Sequence, residues 1–291
     1  MASRLAVAAI TLDFGNTLVR VDRPGLQAVV ERTGDALAAK GIVDDPTRFR
    51  GVWAEERERQ FREDIPEFKE PDIARRAIRV LARLRGMASP PAEDRWDDVA
   101  AAELVEQAEV DVLAEAYSAE FVSRVHPHAD ATATLAQLSG RGITLAILSN
   151  WPLAATIDRF AATHGWLPYL QAIVVSERVG WIKPHPGIFR ATEAALGLGQ
   201  ASGGAILHVG DDWAADVVGA SQAGWRTAYL RNRQAGSPLP SSEPGDGLLT
   251  GVGVAPDLEI DELAELDALV EPDPGAGVTT GAMELSEAPR T

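Results

Sequence analysis

Leu5-Ala6-Val7-Ala8-Ala9-Ile10-Thr11-Leu12-Asp13-Phe14-Gly15-Asn16-Thr17-Leu18 is the stretch whose reading decides the fold. Leu5–Leu12 carries no charge and is rich in Ala, Val, Ile and Leu. That composition predicts a buried parallel strand, because strands covered on both faces are apolar throughout rather than alternating. The run ends on Asp13, and open α/β sheets bind ligands beyond the carboxyl ends of their strands. Taken alone, Asp13 before Gly15-Asn16 reads equally well as a turn.

Working outward, further strands are expected at Ile143–Leu148, Ala172–Val175, Ala205–Val209 and Thr227–Leu230. Apolar residues at helical spacing predict helices at Ala129–Leu138, Leu153–His164, Pro186–Leu196 and Ala214–Ala223. Pro186 suits a first helical turn and Gly224 a C-cap. The alternation implies the α/β class, a parallel sheet with helices on both faces. Val21 to His126 interrupts it with four amphipathic patterns: Gly25–Ala39, Thr47–Arg62, Asp72–Leu84 and Val99–Val125. This segment is too long for one crossover and predicts an inserted helical domain. The expected division is a core of 1–20 and 127–270, an insertion of 21–126, and a disordered acidic tail of 271–291. Asn232–Gly253 reads as a surface loop, and Pro256–Leu269 as a last short strand and helix.

The chain has 27 basic and 43 acidic residues, a formal charge of −16. Nucleic-acid and anionic-membrane partners are not expected, since both call for basic patches. With no cysteine, disulfides, zinc–thiolate sites and thiol catalysis are excluded. No apolar run approaches the ~18 residues of a membrane span, so a soluble, cytoplasmic protein is expected; its oligomeric state is not legible.

Three more sites accompany Asp13. Ser149-Asn150 follows a strand, where a hydroxyl and N–H groups can hold an anion or cap a helix. Lys183, in Gly180-Trp181-Ile182-Lys183-Pro184, is one of three lysines in the chain. Its ammonium is a compact point charge suited to a phosphoryl group. Asp211 ends another strand in Gly210-Asp211-Asp212, and Asp216 follows about one turn later. Paired carboxylates suit Mg²⁺, a hard cation that takes oxygen ligands, or the N-terminus of a helix. Each site alone has an ordinary structural explanation, but their order, and the placement of all but the lysine at or just after strand ends, point to one edge of one sheet.

The four motifs together, spanning roughly residues 5 to 230, resemble the haloacid dehalogenase-like (HAD) superfamily. The resemblance implies a Rossmann-like core, a C1-type cap formed by the insertion, and an Mg²⁺-dependent phosphatase acting on a small phosphorylated metabolite. It implies Asp13 as nucleophile and Ser149, Asn150 and Lys183 as phosphate ligands. Asp13, Asp211, Asp216 and the Gly15 carbonyl are implied metal ligands, with Asp216 alternatively holding the lysine. Gly15 departs from the pattern, because most phosphatases of the superfamily carry an acid/base aspartate there. Sugar 1-phosphates or aryl phosphates, whose leaving groups depart without protonation, are therefore expected. A 2-haloacid dehalogenase, a phosphonatase-type hydrolase and a catalytically weakened binding or regulatory protein are the alternative readings. Arg57, Arg62 and Trp53 of the insertion are candidate substrate contacts, and Trp181 and Trp213 candidate walls.

Overall fold

A computed structural model describes residues 4–198, 204–231, 237–244 and 253–275. Its centre is a six-stranded sheet in the order β6-β5-β2-β7-β8-β9. The strands are β2 (Ala9–Leu12), β5 (Thr144–Ser149), β6 (Ala172–Val175), β7 (Ile206–Gly210), β8 (Arg226–Leu230) and β9 (Leu258–Ile260). All pair in parallel. In chain order this is the 3-2-1-4-5-6 arrangement of doubly wound folds. The first strand lies centrally, and the chain builds outward on one side and then on the other. The carboxyl end of β2 is therefore the switch point, and Asp13 is the next residue.

The expected strand Leu5–Leu12 is broken at Ala8. Its first part, β1 (Leu5–Val7), pairs instead with β10 (Val270–Pro272) near the end of the chain. Both halves are apolar, so the run itself does not reveal the change of partner. The expected tail boundary moves accordingly, because residues 271 and 272 are in a strand; 276–291 lie outside the described residues. So do 232–236 and 245–252 of the expected surface loop.

Between β2 and β5 the insertion contains α1 (Arg23–Ala39), α2 (Pro46–Asp64), α3 (Ile73–Leu84), α4 (Asp98–Ala102) and α5 (Gln107–Arg124). Asp22, Asp45 and Asp72 cap the first three by accepting backbone N–H bonds. The single helix expected over Val99–Val125 is two, α4 and α5. Glu106 starts the second, its N–H donating to Glu109 at 3.0 Å, and Arg85 clamps the break by donating to the Leu104 carbonyl and Glu109. The two linkers into and out of the insertion pair antiparallel as β3 (Val19–Arg20) and β4 (His126–Pro127). Phe14, Phe121, Trp151 and Phe160 form one aromatic knot between insertion and sheet. A continuous apolar cluster runs through it, from Ile10 and Leu12 to Phe49 and Val80.

The other layers are α6 (Ala131–Gly140), α7 (Ala154–Thr163), a turn α8 (Ser176–Val179), α9 (Pro186–Ala195), α10 (Gly219–Gln222) and α11 (Leu266–Leu269). A second apolar cluster with Ile188, Phe189 and Trp225 covers the opposite sheet face. The α-helix expected over Ala214–Ala223 opens instead as a π-helical segment, Trp213–Val218, before α10. Wide turns of this kind are frequent at functional sites, and this one carries Asp216. Among the described residues no helix is long and apolar enough to cross a membrane.

Candidate active site

Loops after β2, β6 and β7 bring Asp13, Lys183, Asp211 and Asp216 together beside the carboxyl end of β5. The Lys183 ammonium donates to Asp13 Oδ1 at 2.8 Å, Asp216 Oδ1 at 2.6 Å and the Leu148 carbonyl at 2.9 Å. Lys183 is 3% exposed. A lysine buried to this degree loses its charge unless paired. Here burial lowers its pKa, but Asp13 and Asp216 outweigh burial and hold the ammonium charged.

Asp216 is held from three sides. Its Oδ1 also pairs with His208 Nε2 at 3.0 Å, and its Oδ2 accepts from the Asp212 N–H at 2.9 Å. Burial raises its pKa, but Lys183 and His208 overcome that and keep it ionised. Its approach depends on Gly210, since a Cβ there would lie 2.1 Å from Asp216 Oδ2. His208 is itself held by Thr11 Oγ1 at 2.8 Å. Neither His208 nor Thr11 was legible as a site residue, because both sit inside apolar strands.

Oxygens of Asp13, Asp211 and Asp216 lie within 4.8 Å of one another, and all three residues are buried. Burial and the neighbouring Asp216 push Asp13 up against the pull of Lys183. An all-carboxylate oxygen set suits Mg²⁺. Thr17, a motif residue with no assigned role in the sequence, donates from Oγ1 to Asp211 Oδ1 at 3.1 Å.

Ser149 Oγ is buried and has no hydrogen-bond partner. Such orphans are rare in folded proteins and expensive, and this one adjoins the carbonyl that holds Lys183. An incoming phosphoryl oxygen would satisfy it. The Asn150 side chain faces the lysine loop. Its Oδ1 accepts from the Lys183 N–H at 2.7 Å and its Nδ2 donates to the Lys183 carbonyl at 3.0 Å. Both ends of its amide are thus committed to the lysine loop, so its side chain positions Lys183.

Gly15 is buried and faces no open space. A Cβ added there would lie 2.5 Å from Leu239 Cδ1 and 3.3 Å from Trp151. Leu239 belongs to Ser237–Pro244, a loop stitched across the site. Ser237 Oγ donates to Asn16 Oδ1 at 3.1 Å and Ser242 Oγ to Asp212 Oδ1 at 2.6 Å. From the insertion, Arg57 Nη2 donates to the Pro238 carbonyl at 3.2 Å. Glu70, just before α3, accepts from Ser176 Oγ at 2.5 Å, and the Trp151 N–H donates to the same Oγ at 2.9 Å. Among the other candidates, Trp53 stacks on Tyr117 inside the insertion and Arg62 is exposed. Trp181 stacks on His185 at the surface, and Trp213 packs on Tyr229.

Known proteins share this fold. A 2-haloacid dehalogenase from Pseudomonas syringae pv. Tomato DC3000 is similar in fold, with a TM-score of 0.60 and 23% identity, covering 90% of this chain and 97% of that one. The HAD-hydrolase YfnB of Bacillus subtilis, solved with magnesium, gives a TM-score of 0.56 at 17% identity, over 92% and 99% of the two chains. In sequence, a ribulose-1,5-bisphosphate 5-phosphatase of Halopiger xanaduensis is 29% identical over 54% of this chain and 62% of its own. A glyceraldehyde 3-phosphate phosphatase of Methanopyrus kandleri is 30% identical over 48% of this chain and 54% of its own. The human haloacid dehalogenase-like hydrolase domain-containing protein 3 is 29% identical over 36% of this chain and 40% of its own. The matched region thus spans less than two thirds of each of these curated relatives. The haloacid dehalogenase-like hydrolase family model, however, matches residues 7–224. That span runs from the strand before Asp13 through the turn that carries Asp216, and the chain belongs to the haloacid dehalogenase-like hydrolase family.

Proposed function

We propose that this hydrolase is an Mg²⁺-dependent phosphatase that acts on a small phosphorylated metabolite, with Asp13 as the phosphoryl acceptor. The observation that carries the reading is Lys183, buried and charged, bridging Asp13 and Asp216 beside the unpartnered Ser149 hydroxyl. The Halopiger and Methanopyrus relatives, both named as phosphatases, support it.

Asp13 and Asp211 would hold the metal directly, with the Gly15 carbonyl as a further ligand. Asp216, already engaged by Lys183, His208 and the Asp212 N–H, would hold the lysine and, through its remaining acceptor site, a metal-bound water. Bound there, Mg²⁺ would offset the negative charge of phosphoryl group and nucleophile, the electrostatic help that phosphoryl transfer chiefly needs. An Asp13 oxygen attacks phosphorus, and the bond to the leaving-group oxygen breaks with its electron pair on that oxygen. Lys183 and Ser149 hold the transferring oxygens. Water then adds to phosphorus, its proton passing to the departing phosphate, and Asp13 is freed.

No carboxyl group stands at position 15, and Leu239 and Trp151 fill the space beside it. A general acid contributes about 10²–10⁴-fold, so its absence selects leaving groups stable without a proton, such as sugar 1-phosphates and aryl phosphates. The test is Mg²⁺-dependent hydrolysis of aryl phosphates of graded leaving-group pKa, with Asp13→Asn as control. We expect kcat/KM to fall steeply as that pKa rises. A flat dependence refutes the leaving-group argument, and no activity above the control refutes the phosphatase.

A further inference from the structure

Residues 68–73 of the insertion touch both loops that carry the anion-holding groups. The Phe68 carbonyl accepts from the N–H of Ile182, the neighbour of Lys183, at 3.0 Å. The Ile73 N–H donates to the Pro152 carbonyl at 3.0 Å. Between them Glu70 accepts from Ser176 Oγ at 2.5 Å, and the Trp151 N–H donates to that Oγ at 2.9 Å. Trp151 and Pro152 directly follow Ser149-Asn150. Phe68 has a φ of 55°, where a bulky residue is an outlier. Such strain gathers at clamps and switch regions, and here the strained residue supplies the carbonyl to Ile182.

Glu70 is half-buried, with its carboxyl turned onto a fully buried hydroxyl. Loss of water raises the carboxyl to about 7, against the help of Ser176 and Arg76. Asp72 and Asp64 push the same way as burial, and Asp64 is itself paired with Arg75. Lys69 and Glu67 pair with each other at 2.7 Å. On α8, Glu177 accepts from the Ala154 N–H at 3.4 Å and Arg178 pairs with Asp158. A neutral Glu70 has bonding of its own: its O–H can donate to Ser176 Oγ, whose proton then turns to the Trp151 carbonyl at 3.5 Å.

We infer that Glu70 is a positioning residue whose proton latches the insertion onto the loops that hold Ser149 and Lys183: neutral, it keeps the segment seated, and ionised, it lifts the segment toward water. The consequence for phosphate binding rests on the phosphatase reading; the latch does not.

The reporters are the Ile73 and Ile182 amides, which lose their partners when the segment lifts. Hydrogen exchange reads local opening of this kind. The proton is held more tightly seated than released, so seating is fully favoured below pH 4.5 and weakens as pH rises through 7. With intrinsic exchange rates divided out, protection at both amides is expected to fall about tenfold between pH 6 and pH 8. Ile147 in β5 is the reference and should stay level. Glu70→Gln, neutral throughout, should hold the fall under twofold, while Glu177→Gln should keep all of it. Protection independent of pH in the wild type overturns the latch, as does an equal fall in Glu70→Gln or at Ile147. Saturating sulfate with Mg²⁺, an ionised stand-in for the phosphoryl group, should raise protection at the two amides over that at Ile147 by about fivefold or more at pH 8, because coupling between sites is reciprocal. No rise overturns the link to the anion-holding loops. Neither measurement needs turnover, so a protein that passes both yet hydrolyses no phosphate ester keeps the latch and loses the phosphatase.

Discussion

Gly15→Ala adds one methyl group, and the structure says what that methyl meets. It would lie 2.5 Å from Leu239 Cδ1 and 3.3 Å from Trp151. Gly15 is not among the residues with positive φ, so alanine brings no backbone strain. At a strain-free position Gly→Ala ordinarily stabilises by about 0.4–1 kcal/mol through the unfolded chain. Overpacking a filled site costs about 1–3 kcal/mol. Leu239 is the flexible end of a half-buried side chain on a loop, which favours the lower half of that range. The net expectation is a loss of about 1 kcal/mol. Leu239→Ala removes the obstacle, so in that background Gly15→Ala should be neutral or slightly stabilising, with only Trp151 left to shift by a few tenths of an ångström. The coupling, about 1–2 kcal/mol, is read from urea unfolding of the four proteins in a double-mutant cycle. Activity follows the same logic. Gly15→Asp alone should be impaired, while Gly15→Asp with Leu239→Ala should gain up to about 10²-fold on alkyl phosphates, because an acid then stands where one was missing. Equal costs of Gly15→Ala in both backgrounds would refute the claim that Leu239 occupies the place of the acid.

Lys183→Met leaves Asp13 and Asp216 facing each other without their shared cation; we expect a loss of about 3–5 kcal/mol by urea unfolding and no turnover, and a loss below 1 kcal/mol would contradict the bridge. Millimolar Mg²⁺ should raise Tm, by the equivalent of about 2.7 kcal/mol at one hundred times Kd, and Asp211→Asn should abolish the shift in a thermal melt with an EDTA control. Glu70, held up to about 7 by burial against the help of Ser176, binds its proton more tightly folded than unfolded. Its contribution is therefore fully present below the unfolded carboxyl range, near pH 4.5, and is lost as pH rises through 7. Tm should fall from pH 5 to pH 8 more steeply in the wild type than in Glu70→Gln, and parallel slopes would remove Glu70 from the account.

Where the sequence was legible, local physics sufficed. Uncharged apolar runs marked the strands at Ala172–Val175 and Ile206–Gly210, and helical spacing marked α1, α2 and α3 within two residues. Asp13, Ser149 and Asp211 could be proposed because each follows a strand whose end is visible in the sequence and parallel strands share one edge, Asp216 because it falls about one turn after Asp211, and Lys183 because it is one of three lysines and precedes a proline and a helix start. Val99–Val125 misled because the residues at its break, Glu103-Leu104-Val105-Glu106, keep helical composition, while the break is held by the Glu106–Glu109 cap and by Arg85 from another element.

The amino-acid sequence by itself determined the parallel α/β core, the helical insertion and the chemical types gathered at the sheet edge, since these follow from periodicity and strand ends. Tertiary structure alone decided what each group faces. Only folding brings His208 onto Asp216, turns both ends of the Asn150 amide to Lys183 and leaves Ser149 Oγ unpartnered. It also fills the place beside Gly15 with Leu239, 224 residues further along the chain. Contacts across such distances carry no local pattern, because they depend on where separate elements close on one another rather than on what each prefers to be.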